Sequence, residues 1–60
     1  MTILLTPKET AKEIGASVPT VYRLIDEGVF PVVRLPHVRG VRIRRDDLDE
    51  VTKQYREERD

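Results

Sequence analysis

The sequence predicts a mainly α-helical fold with one small β-hairpin. Three observations carry that prediction: two helix starts separated by a very short turn, a change from helical to alternating apolar periodicity after Gly28, and a third amphipathic stretch opening on Asp46 and Asp47. At 60 residues the chain lies near the lower size limit for independent folding, and residues 1–60 are read as a single domain. With no Cys and a single His, neither a disulfide framework nor a Cys/His zinc site is available, so an apolar core must hold the fold.

The first helix is expected at about residues 7–14. Thr6 is placed as N-cap, Pro7 at the first helical position, and Glu9 to complete a capping box. Ala11 and Ile14 share one face, which Leu4 and Leu5 are expected to join, while Lys8, Lys12 and Glu13 face water. Gly15 supplies a left-handed terminator. Only Ala16 separates it from Ser17, a strong N-cap, so the second helix, at about 18–27, begins within a turn of the length found in helix-turn-helix units. Val18, Val21, Leu24 and Ile25 form its apolar stripe, Pro19 falls in the first turn where a missing N–H costs little, and Gly28 stops it.

A hairpin is expected over about 32–44, with Val33, Leu35, Val41 and Ile43 inward and Arg34, Arg42 and Arg44 outward, turning through Pro36, His37, Val38, Arg39 and Gly40. A third helix follows at about 46–57. Its first-turn acids suit the positive end of the helix dipole, Leu48, Val51 and Tyr55 give one apolar face, and Asp49 with Lys53 makes an i, i+4 pair. Together these elements describe a winged helix-turn-helix: two helices and their turn, a two-stranded antiparallel wing, and a C-terminal helix.

Formal net charge is zero, which taken alone argues against a polyanionic partner, but the charges are unevenly placed. Met1–Glu27 carries a net −1, Gly28–Arg45 a net +5 with five arginines and no acid, and Asp46–Asp60 a net −4. Arginine is the only charged type in the basic segment; its planar fork matches phosphate and guanine edges, whereas simple protection of a strand edge is served equally by Lys or Glu.

Double-stranded DNA is therefore the expected partner. The second helix is read as the recognition helix, with Ser17, Pro19 and Thr20 small enough for close approach to the major groove and Arg23 reaching a guanine or a phosphate. Ser17 also caps the helix. Tyr22 either donates its hydroxyl to a phosphate or packs its ring on the core. In the wing, Arg34, Arg39, Arg42 and Arg44 are expected along the backbone or in the adjacent minor groove. His37 is read as a turn residue or weak phosphate donor, and Val38 as an exposed residue within reach of the groove floor. About four to six phosphate contacts give an expected log–log salt slope of roughly −4 to −5. No nucleophile–base set, metal cluster or phosphate-cradling glycine loop is present in the sequence, so no enzymatic activity, metal or cofactor is expected. The longest apolar run, Val29 to Val33, is too short to span a bilayer and no signal peptide is evident, so a cytoplasmic, DNA-associated protein is expected.

The residues from Leu4 through the Ser17–Ile25 helix (S-V-P-T-V-Y-R-L-I), Gly28, and the run Arg42 to Leu48 (R-I-R-R-D-D-L) resemble the excisionase-type, MerR-like winged helix-turn-helix DNA-binding domains, over about Leu4 to Val51. The resemblance implies that Ser17, Pro19, Thr20, Tyr22 and Arg23 enter the major groove and that Arg34, Arg39 and Arg42 lie along the backbone or minor groove. It implies a phage or mobile-element recombination directionality factor that binds repeated sites, bends DNA and biases an integrase toward excision in the host cell. A small transcription regulator using the same surface is the alternative. The sequence shows no long dimerisation helix or effector domain of full MerR-type activators, which is expected to favour the smaller proteins. The acidic third helix suggests head-to-tail self-association on DNA, its acids meeting the basic wing of a neighbour.

Overall fold

A computed structural model describes residues 3–55. In chain order its elements are β1 (Leu4–Leu5), α1 (Pro7–Ile14), α2 (Val18–Asp26), β2 (Ile43–Arg44) and α3 (Arg45–Tyr55). The mainly helical winged helix-turn-helix architecture is the one expected. The third helix starts one residue earlier than expected, and the positions anticipated beyond Tyr55 lie outside the described residues.

Both helices of the helix-turn-helix form for local reasons. At the start of α1, Thr6 Oγ1 accepts from the Glu9 backbone N–H at 3.1 Å, while Glu9 Oε1 accepts from the Thr6 N–H at 2.9 Å, a complete capping box. Gly15, at φ 71, ends the helix, and the Ala16 N–H bonds the Ala11 carbonyl at 2.9 Å. The second helix ends in a Schellman arrangement: the Val29 N–H donates to the Leu24 carbonyl and the Gly28 N–H to the Ile25 carbonyl, both at 3.0 Å, with Gly28 at φ 76. Glu27, expected inside this helix, is instead its C-cap.

The core gathers Leu5, Ala11, Val21, Phe30, Ile43 and Leu48, with Ile14, Val18, Leu24, Ile25, Val29, Val32 and Val51 packed around it. Val21 and Ile43 are completely buried, and so is Thr10. Burial of the Thr10 hydroxyl is offset because Oγ1 donates to the Thr6 carbonyl at 2.9 Å. Across the fold, Arg45 bridges α3 to α1 through a paired contact with Glu13, Nη2 to Oε2 at 3.3 Å and Nη1 to Oε1 at 3.4 Å. The Glu13 hydrogen bond, then its charge, raises the Arg45 pKa.

The sheet departs from expectation in two respects. Leu4 and Leu5 are a strand rather than an apolar lead-in to α1: Leu5 pairs with Ile43 and Leu4 with Arg44, antiparallel, and the Arg45 N–H adds a bond to the Ile3 carbonyl at 2.8 Å. The second strand thus uses one edge for β1, and the wing closes on the other through a single Val33–Arg42 bridge with reciprocal backbone bonds of 2.8 and 2.9 Å.

That bridge also fixes the phase of the wing's first limb. Directly opposed residues of an antiparallel pair point to the same face, so Val33 shares the outer face with Arg42, and the inward position falls to Val32. Inward placement of Val33 and Leu35 is accordingly corrected: Leu35 is 39% exposed, while Val41 and Ile43 are buried as expected. A shift of one residue reverses every side chain of a strand, and Phe30, only 3% exposed, sets the observed phase by anchoring the limb in the core two residues before Val32. The third helix needs smaller corrections. Leu48 is buried but Tyr55 is 63% exposed, and Asp49 faces Arg45 at 4.0 Å rather than pairing with Lys53.

Candidate nucleic-acid interface

The N-terminus of α2 is set by Ser17, whose Oγ accepts from the Thr20 N–H at 3.3 Å and lies 3.0 Å from Thr20 Oγ1. With Val21 pinned in the core, helical spacing turns Pro19, Thr20, Tyr22 and Arg23 outward, and all four are exposed. This is one continuous convex face with small groups near the start of the helix and a cation one turn later. Tyr22 is 48% exposed, so its ring is not a core group.

Arg23 is not a bare charge. Its Nε lies 3.5 Å from Glu27 Oε2, and both side chains remain largely in water. The contact uses Nε, so the terminal Nη1/Nη2 fork stays available for a bidentate acceptor such as guanine O6/N7. Val18 to Asp26 carries only Arg23 and Asp26 as formal charges, so the helix read as the recognition element is electrically neutral along its length.

Among the described residues, the arginines without a partner lie in the wing. Arg34, Arg39 and Arg44 are exposed and make no side-chain hydrogen bond or ion pair with the described residues. Arg42 is half-buried and folds back: its Nη1 donates to the Val41 carbonyl at 3.0 Å and to the Arg39 carbonyl at 3.5 Å, bracing the returning limb. Arg34 and Arg42, expected together on one outer face, belong to opposite phases of the hairpin because Val33 is the residue opposite Arg42. Arg34 is exposed all the same, since its side of the limb has by then passed beyond the core. Arg45, which sequence reasoning counted with the basic segment, spends its charge on Glu13 and Asp49.

His37 occupies the wing turn. The Val38 N–H bonds the Leu35 carbonyl at 3.3 Å, Pro36 takes the second position, and His37 follows with φ 63. Proline followed by a left-handed residue is the type II arrangement, which ordinarily takes Gly or Asn where this chain has His. The turn role expected of His37 is therefore the one observed.

Lys8 and Lys12, expected only to face water, do more than that. Both border an open groove of about 420 Å³ between α1 and the start of α2, floored by Ala11, Ala16 and Val18. Among the described residues no three His, Asp or Glu side chains are grouped to hold a metal ion, and no helix is long and apolar enough to cross a membrane.

Comparison with known proteins gives one assignment. A family model described as a helix-turn-helix domain matches residues 4–56, which includes every element of the fold. No curated protein and no solved structure gives a significant match.

Proposed function

This chain belongs to the helix-turn-helix domain family, and from that membership we propose that it is a sequence-specific, non-enzymatic double-stranded DNA-binding protein of the excisionase type. The carrying observation is the combination of a neutral, small-residue helix face with a wing whose Arg34, Arg39 and Arg44 have no partner among the described residues. Unpaired arginines on a protruding hairpin suit phosphates, and a neutral helix face suits base edges, where excess charge would add affinity without discrimination.

In this reading α2 lies in the major groove with Ser17, Pro19, Thr20, Tyr22 and Arg23 toward the DNA, and the wing follows the adjacent backbone and minor groove through Arg34, His37, Arg39, Arg42 and Arg44. Copies bind repeated sites head to tail, with Asp49 and Glu50 of α3 facing the wing of the next copy. The bent array then directs an integrase toward excision. Asp49 and Glu50 are both exposed, which supports that surface.

The test is a footprint on DNA carrying an attachment site, combined with an excision assay with and without the integrase of that site. Protection at the attachment site with stimulated excision is the expected result. Protection over a promoter, with no effect on excision, would assign the same surface to a transcription regulator.

A further inference from the structure

The wing turn holds an apolar feature that phosphate binding does not use. Leu35 and Val38 are each 39% exposed, they bracket the turn whose bond joins them, and Pro36 between them is also exposed. None of the three belongs to the core cluster or packs on it. The feature sits at the end of a hairpin held by one backbone bridge and braced by Arg42, and it is flanked by Arg34 and Arg39, both exposed. His37 keeps a left-handed backbone there although it is not glycine. Residues in such conformations persist only where the surroundings impose them, and they concentrate at binding sites.

Resting on the DNA-binding reading above, we propose that this tip is a minor-groove wedge: Leu35, Pro36 and Val38 press on one base-pair step and partly unstack it, while Arg34 and Arg39 neutralise the phosphates on the two groove walls. Charge selects the occupant. The segment from Gly28 to Arg45 contains no acid, so an apolar tip with arginine on each side fits a polyanion with an apolar interior. A duplex minor groove has both properties, with stacked bases at its floor and phosphates along its rims, and at about 6 Å wide it admits a single turn but not a helix. Apolar side chains placed between base steps kink DNA toward the major groove, which is where α2 is seated in this reading. The step under the tip should be a pyrimidine–purine step, since those unstack most readily. The wedge therefore supplies both the bend and a sequence preference without any hydrogen bond to a base.

The experiment begins by selecting duplexes from a random-sequence pool with the full 60-residue chain. The enriched duplex is then labelled at its ends for energy transfer and substituted with 2-aminopurine at successive flanking positions. The expected result is a 2-aminopurine increase at one step in the wild-type complex and a shortened end-to-end distance. In the Leu35→Ser/Val38→Ser variant both signals are lost at saturation, while affinity falls only about tenfold and the salt slope is unchanged, as for loss of one step's readout. Replacing that step by AA weakens wild-type binding and leaves the double Ser variant unaffected. Both substituted side chains are exposed, and circular dichroism verifies that the variant is folded. An unchanged bend and 2-aminopurine signal in the variant overturns the wedge, as does a wild-type complex with no increase at any position; in both cases DNA binding itself stands. If no duplex is bound at all, the underlying DNA-binding reading fails instead.

Discussion

Salt dependence offers the sharpest quantitative test of where the affinity of this domain originates. Arg34, Arg39 and Arg44 are unpartnered among the described residues, and Arg42 uses one guanidinium nitrogen on carbonyls, which leaves its charge intact. If these four wing cations each neutralise one phosphate, the log–log slope of binding against salt is about −3.6, at the shallow end of the expectation for about four to six contacts; Arg45, engaged by Glu13, is left out of the count. Raising salt from about 50 to about 200 mM should then weaken wild-type binding by about 150-fold. Arg34→Ala with Arg39→Ala should bring the slope to about −1.8 and the loss over the same range to about 12-fold. Arg45→Ala provides the internal control: its charge is already committed, so the slope should move by less than about 0.5. Fluorescence anisotropy on one labelled duplex across a salt series measures all three. A double variant that keeps the wild-type slope would refute the wing as the source of affinity, and an Arg45 variant that loses a full unit would refute the account of its pairing.

Other expectations follow from packing, backbone conformation and surface charge. Ile43→Ala should cost about 3 kcal/mol or more by leaving a cavity at a completely buried site, a large share of the roughly 3 to 9 kcal/mol available to a chain of this size; Leu35→Ala should stay within about 0.5 kcal/mol. Urea titration separates the two, and comparable losses would reject the observed hairpin phase. His37→Gly should raise the melting temperature by a few degrees, because relief of about 1–2 kcal/mol of left-handed strain outweighs the added chain entropy of glycine by only about 0.5 kcal/mol. His37→Val should lower it, since a β-branched residue fits φ 63 worse than His does. Asp49→Lys with Glu50→Lys should reduce cooperativity on tandem sites more than affinity for one site in a gel-shift titration, and unchanged cooperativity would remove α3 from the contact between neighbours.

What could be read from the sequence was whatever local chemistry decides. Caps and terminators act within three or four residues, so Thr6, Glu9, Gly15, Ser17 and Gly28 reveal the two helices and the short turn directly. The exposed face of α2 follows from the same spacing, which makes Pro19, Thr20 and Arg23 legible as one surface, while Tyr22 at its edge is placed outside the core only by the fold. The sheet was less legible because its pairings are distant. Nothing in Leu4–Leu5 by itself distinguishes a two-residue strand from an apolar lead-in, and its partner is Ile43–Arg44, far along the chain. The Glu13–Arg45 bridge, 32 residues apart, was invisible for the same reason. The wing phase was a closer case. The run Val29 to Val33 is apolar at nearly every position, so alternation alone does not fix its register, but Phe30 is its largest side chain and seating it in the core places Val32 inward and Leu35 outside.

Folding changes the electrostatic argument as well as the packing. In the sequence, positive charge fills Gly28 to Arg45 and Arg23 stands as the cation of the recognition helix. In the fold, Arg23 has Glu27 beside it and Arg45 is drawn to Glu13 and Asp49, so among the described residues the unopposed arginines contract to the wing. This contraction separates two tasks that an evenly basic surface would mix. An arginine without a partner gains by meeting any phosphate, whatever the sequence. Arg23 must weaken its contact with Glu27 or present the fork that the contact leaves open, so its gain from a stray phosphate is smaller and its gain from a bidentate guanine is comparatively favoured. On the proposed reading, affinity resides in the hairpin and discrimination in the helix, with the apolar wing tip adding a preference for deformable steps. A domain with no net charge is suited to that division, because the acids that cancel its arginines also limit how tightly it holds the wrong DNA.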